Sequence, residues 1–217
     1  MSQDAFPHYC ATCKRQWRCS DPECALDKVY PCPKHQSEHS ADLADEVLPL
    51  PLGPESEALR LRLGSTNATA RNPELSAVLI GLMSASQGVL GPRFVGLYLQ
   101  GSLAVGDFDE DSDVDFVVAI ADEVPDDKLE ELQRMHARLY RLDSGWAQHL
   151  EGSYLPVSDL RRFDPQSTPH LFLDHGSRML ERSIHDHSVL FRYVLREHGV
   201  ALAGPDPRSL VEPIAPD

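Results

Sequence analysis

A chain of 217 residues has room for one good-sized domain, or one domain with a small appendage, and 41% hydrophobic residues suffice for a core. Twenty basic against 34 acidic residues leave a net charge of −14 with no Lys/Arg-rich run. That balance argues against phosphate-backbone binding of a nucleic acid as a main function, whereas it would attract a polycationic small molecule.

Three further exclusions follow from the order of residues. No apolar segment reads as long enough to span a membrane. The N-terminus, MSQDAFPHYC, lacks the basic-then-apolar order of a signal peptide. All five cysteines fall before residue 33, unlike a disulfide-knitted secreted domain, and the expected location is the cytoplasm.

Residues 1–40 form a Cys/His-rich segment. Cys10-x-x-Cys13 and Cys32-x-x-His35, with 18 residues between the pairs, fit the two-knuckle spacing of a structural Zn²⁺ site. Cys19, Cys24 and His39 are spare ligands for a variant set, and a leader that holds no metal is the competing reading. Residues 41–70 turn to Pro, Gly, Ser and acidic residues and read as a linker, with at most a short helix over Glu55–Leu63.

Asn72 as cap and Pro73 in the first turn predict a helix. Its buried stripe is Leu75, Val78, Leu79 and Leu82, and it ends near Gly88. Gly91-Pro92 punctuates before an apolar run, Phe94–Leu99, that reads as a buried strand. Gly101-Ser102 breaks that strand, and Leu103-Ala-Val starts a short helical turn before Gly106.

At this turn the residue types point to chemistry. Gly101 lets the backbone approach a phosphate closely, Ser102 can donate its hydroxyl, and helical amides add a positive dipole end. A run of acids follows: Asp107, Asp109, Glu110, Asp111, Asp113 and Asp115. If Val114–Ile120 is a strand, Asp113 and Asp115 project to one face, where two like charges call for a divalent cation. The four earlier acids need only water.

Pro125-Asp-Asp opens a second helix, with Leu129, Leu132, Met135, His136, Leu139 and Leu142 on one packing stripe and Ser144-Gly145 ending it. A third strand fits His149–Val157. Farther on, Phe172–Leu180 reads as a hairpin and Ser183–Gly199 as a helix.

The segments Tyr98-Leu-Gln-Gly-Ser-Leu-Ala-Val-Gly-Asp-Phe and Ser112-Asp-Val-Asp-Phe resemble the DNA polymerase β-like nucleotidyltransferase superfamily, whose signature is Gly-Ser, a spacer, then Asp-x-Asp. Within it they look most like adenylyltransferases acting on streptomycin and spectinomycin. The resemblance runs with gaps from about Asn72 to the C-terminus. It implies an α/β fold, a small mixed sheet with helices packed against it. The core would span residues 71–160, and residues 161–217 would be a C-terminal extension that begins a second, helical domain not continued past Asp217.

The resemblance also implies roles. Asp113 and Asp115 would hold one or two Mg²⁺, and Glu151 would complete the metal site or take the proton from the attacking hydroxyl. Gly101, Ser102 and Ser112 would hold the nucleotide. Asp186 aligns with a nucleotide-contacting Asp, although an Asp at a helix start is also an ordinary cap. The implied reaction moves a nucleoside monophosphate, AMP from ATP, to a hydroxyl of a small, aminoglycoside-like cationic acceptor, with neither nucleic acid nor membrane as partner. A protein partner could supply the missing C-terminal surface. Two rival readings stay open: a nucleotide-binding module without turnover, and transfer to a protein or RNA end.

Overall fold

The computed structural model describes the backbone of residues 6–10 and 15–19, and residues 72–214 throughout. The chain divides into two compact units, Met1–Leu48 and Pro49–Asp217. In the first, β1 (Phe6–Cys10) pairs antiparallel with β2 (Arg15–Cys19), with Phe6 opposite Cys19 and Cys10 opposite Arg15. Cys10 closes β1, whereas Cys13, Cys32 and His35 lie outside the described residues, as does the short linker helix expected over Glu55–Leu63.

The second unit is α/β. It opens with α1 (Pro73–Leu90), whose cap is the expected one: Asn72 Oδ1 accepts from the Leu75 amide at 3.0 Å, with Pro73 at the first turn. A 3₁₀ turn at Gly91–Arg93 leads into β3 (Phe94–Leu99), then α2 (Gly101–Val105) and β4 (Val114–Ile120). Next come α3 (Asp126–Leu139), α4 (Gly145–Gln148) and β5 (Leu150–Pro156). The chain continues through α5 (Val157–Arg161), β6 (His170–Leu173), β7 (Leu180–Ser183), α6 (Val189–His198), β8 (Val200–Ala203) and α7 (Pro207–Leu210).

Six strands form one mixed sheet in the order β7-β6-β5-β4-β3-β8. Only β4 and β5 are parallel, and α3 and α4 make the crossover that a parallel pair requires. Three strands of this sheet, β6, β7 and β8, come from residues 161–217.

Alternation along the strands divides the core in two. Phe116, Val118 and Ile120 of β4 pack with Leu75, Leu79 and Leu82 of α1 and with Leu132 and Met135 of α3. Val117 and Ala119 face the other way, toward Leu160 of α5, Leu195 of α6 and Leu210 of α7. Asp113 and Asp115 have the parity of Val117, so they belong to this second face.

Two expectations need correction. The helix expected from Ser183 starts only at Val189, because Ser183 pairs with His170 in the sheet and Ser188 is the cap, its Oγ accepting from the Phe191 amide at 3.0 Å. An apolar stretch of membrane-spanning length also exists, since Pro73–Arg93 passes by length and composition. Half of that stretch is buried, and Leu75, Leu79 and Leu82 are fully enclosed in the core, as in a core helix.

His136 is structural, as its place on the packing stripe predicts. It is buried, its Nε2 lies 2.8 Å from Tyr154 Oη, and that hydroxyl is 3.3 Å from Ser86 Oγ. Burial pushes its pKa down to about 3, so the ring stays neutral.

Candidate active site

The site gathers where β4 and β5 begin. Their parallel register sets Asp115 directly opposite Glu151 and, one residue on, Phe116 opposite Gly152. The two carboxylates therefore leave the same face of neighbouring strands. Asp113 stands just ahead of β4, two residues before Asp115 and on that face.

The turn after β3 closes onto this pair. The Gln100 amide donates to the Asp115 carbonyl at 3.0 Å, and Gly101 follows with φ of +58°. A Cβ at Gly101 would lie 2.1 Å from Asp115 Oδ2, so glycine is required both by its backbone conformation and by the carboxylate against it. Ser102 is half-buried in the first turn of α2, and its carbonyl accepts from the amides of Gly106 and Asp107 at 2.9 and 3.0 Å.

Ser112 has a different engagement. Its Oγ accepts from the Asp109 amide and donates to Asp109 Oδ1, both at 2.9 Å, holding the acidic loop in a turn. Asp107, Asp109, Glu110 and Asp111 in that loop are exposed, as solvated acids should be.

The far side of the site comes from strands that the sequence reading left without a role. His175, in the turn between β6 and β7, places Nδ1 2.5 Å from Asp113 Oδ1. His185, in the loop after β7, has Nε2 3.6 Å from Glu151 Oε1 and stacks on Phe172 of β6 with ring centroids 4.5 Å apart. Asp186 is not at a helix start. It accepts a 2.5 Å hydrogen bond from the buried Ser153 Oγ of β5, two residues along the strand from Glu151. His175, His185 and Ser153 were missed. The only signals were the Asp-His-Gly turn and the His-Asp-His triplet, and neither indicates which strand end it will reach.

Electrostatics bind these groups into one unit. Burial, then Asp113 and Asp186, raise the pKa of Asp115, with His185 pulling the other way. Burial and Asp115 raise that of Glu151, again opposed by His185. Burial raises Asp186, while the Ser153 hydrogen bond and His185 lower it. A cluster of carboxylates that resist ionising together suits a cation. The ligand atoms of Asp113, Glu151 and His175 all lie within 4.8 Å of one another, close enough to share one ion.

Comparisons with known proteins bear on the fold that carries these residues. The sequence model for the nucleotidyltransferase domain family matches residues 91–144, which hold β3, α2, β4 and α3. No curated protein matches the chain significantly. Among solved structures, the fold is similar to that of a spectinomycin adenyltransferase from Enterococcus faecialis, crystallised with ATP and spectinomycin. The TM-score is 0.50 at 15% identity, over 64% of this chain. The likeness covers 60% of the length of that enzyme. Residues 72–214 thus have a nucleotidyltransferase fold, a mixed six-stranded sheet with helices packed against it, similar in architecture to the spectinomycin adenyltransferase.

Proposed function

We propose that this protein transfers a nucleoside monophosphate, AMP from ATP, to a hydroxyl of a small cationic acceptor of the aminoglycoside kind. The observation that carries the reading is the in-register pair Asp115 and Glu151, with Asp113 beside them and Gly101 closing against Asp115. The solved neighbour with ATP and spectinomycin supports the substrate classes, and so does the net charge of −14. The same charge disfavours an RNA acceptor.

In this reading the Gly101 turn and Ser102 hold the triphosphate against β4, and Asp186 contacts the nucleotide from the opposite wall. Asp113, Asp115 and Glu151 would hold a divalent cation, which when bound neutralises charge on the phosphates and on the transferring phosphoryl. The acceptor oxygen attacks the α-phosphorus, and the bond from that phosphorus to the bridging oxygen breaks. Pyrophosphate leaves, and the hydroxyl proton passes to Glu151 in the alternative where that carboxylate serves as the base and not as a cation ligand. Without a bound cation, burial and the neighbouring Asp115 raise the pKa of Glu151. Positioning of acceptor and phosphate supplies much of the rate.

The test is to incubate the protein with each nucleoside triphosphate, Mg²⁺ and a panel of aminoglycosides, and to measure pyrophosphate release. Release that depends on both ATP and acceptor is the expected result. Triphosphate binding without release for any acceptor would favour the module without turnover, or a requirement for a partner chain. No binding of any triphosphate would overturn the reading.

A further inference from the structure

The acidic site contains a nitrogen ligand that the carboxylate pattern does not call for. Asp113, Glu151 and His175 come from three separate segments: the entrance of β4, the second residue of β5 and the β6–β7 turn. His175 is held in place by its surroundings. Its amide donates to Asp174 Oδ1 at 3.1 Å, the Ser177 amide closes the turn on the Asp174 carbonyl at 2.9 Å, and the His149 ring lies 5.1 Å away.

A plain ion pair with Asp113 would account for one contact only. Both side chains are nearly half exposed, at 45% and 43%, and an ion pair at such a place stabilises little. Nor does a pair explain why Glu151, only 18% exposed, brings a third ligand atom into the same small volume. His185 also approaches Glu151, but it lies flat on Phe172 and is not one of the three converging ligands.

We propose that His175 is a direct ligand to the divalent cation of this site, adding one nitrogen to the carboxylates of Asp113, Asp115 and Glu151, so that the site takes a transition-metal cation such as Mn²⁺ in preference to Mg²⁺. Metal–ligand bonds to a transition cation are roughly 2.0–2.2 Å, so neighbouring ligands of one ion stand about 3.0–3.4 Å apart. The three ligand atoms, none more than 4.8 Å from another and one pair at 2.5 Å, reach that spacing by shifts on the order of an ångström. Imidazole suits Zn²⁺, Fe²⁺ and Ni²⁺ best, with Mn²⁺ the weakest of the transition series, whereas Mg²⁺ favours oxygen ligands and retains its water. The inference rests on the reading that Asp113 and Glu151 hold a cation.

The experiment uses the full 217-residue chain and Mn²⁺ as probe, because a Cys-rich segment competes for Zn²⁺ more than for Mn²⁺. Binding is measured by electron paramagnetic resonance, and the ligand atoms are read from ¹⁴N couplings in electron spin-echo spectra. Wild type, His175→Asn, and the pair Asp113→Asn with Glu151→Gln are compared, with circular dichroism confirming the fold. In wild type, bound Mn²⁺ should show an imidazole nitrogen coupling. His175→Asn should remove it and weaken Mn²⁺ binding at least the roughly tenfold that loss of even an outer-sphere partner costs, with Mg²⁺ affinity changed less. An unchanged nitrogen coupling or an unchanged Mn²⁺ affinity in His175→Asn would overturn the inference while leaving the carboxylate site standing. Mn²⁺ affinity untouched by the Asp113→Asn, Glu151→Gln pair would remove that site, and the inference with it.

Discussion

The two faces of the sheet are made from the same strands and do opposite work. On one, Phe116, Val118, Ile120, Leu150 and Tyr154 lie under α1 and α3 in a closed apolar layer whose polar members, Ser86 and His136, are paired to Tyr154. On the other, Val117, Ala119 and Leu155 are covered by α5, α6 and α7, while Asp115 and Glu151, on the same parity, stay partly exposed at the strand entrances. The first face buries enough apolar area to hold the sheet, and so the second can carry carboxylates that repel one another. A site of this kind is a local cost that the opposite face offsets.

This division predicts that substitutions on the two faces separate cleanly. The largest effect should come from Phe116→Ala, which removes a fully buried ring and should lower unfolding free energy by about 3–5 kcal/mol, with triphosphate affinity of the folded fraction unchanged. Denaturant unfolding and nucleotide titration of the same sample would check both halves. Asp113→Asn with Asp115→Asn should do the reverse. Metal-dependent triphosphate binding should vanish and transfer should fall by at least about 10²–10³, the scale for losing a charge-stabilising group. The melting temperature should hold or rise, because a like-charge contact is relieved. Both properties failing together would break the division.

Gly101→Ala probes the seam between backbone and site. The φ of +58° and the 2.1 Å approach to Asp115 Oδ2 should cost about 1–3 kcal/mol, taken chiefly from triphosphate affinity as Asp115 is displaced.

The smallest effect is in pH dependence, and it should have opposite signs on the two faces. His136 has a lowered folded pKa, about 3, so its contribution to stability is complete above the unfolded value near 6.5 and is lost as pH falls toward 3. Asp115 and Glu151 have raised folded values, so the stability they contribute is present below the ordinary carboxylate range and is lost as pH rises through the folded values. In metal-free buffer, His136→Gln should therefore flatten the acid loss of stability, and Asp115→Asn should flatten the decline on the way up. Melting curves across pH 3–8 compare the two slopes, and slopes of the same sign would contradict the assignment.

Much of this was legible from residue order. The runs Phe94–Leu99 and Val114–Ile120 are bounded by Gly and by acids, and each became a strand over the expected range. Asn72 and Pro73 marked a helix start because cap chemistry is local. The start of α6 was misread because Ser183 is held by sheet pairing with His170, a contact thirteen residues away that no local cap signal reveals. Likewise α4, four residues long, has too little sequence to show a period.

By itself the sequence determined the α/β pattern, the glycine turn and the two carboxylates that share a face, since alternation along a strand and the conformation of a turn depend on neighbouring residues alone. Tertiary structure decided the rest of the site. Glu151 meets Asp115 through the parallel register of β4 and β5, and Asp186 meets Ser153 through the loop after β7. His175 reaches Asp113 only because β5, β6 and β7 run antiparallel and return the chain to the same edge of the sheet. Register between distant strands is set by packing of their apolar faces, so the residues it brings together leave no mark on their own neighbours in sequence.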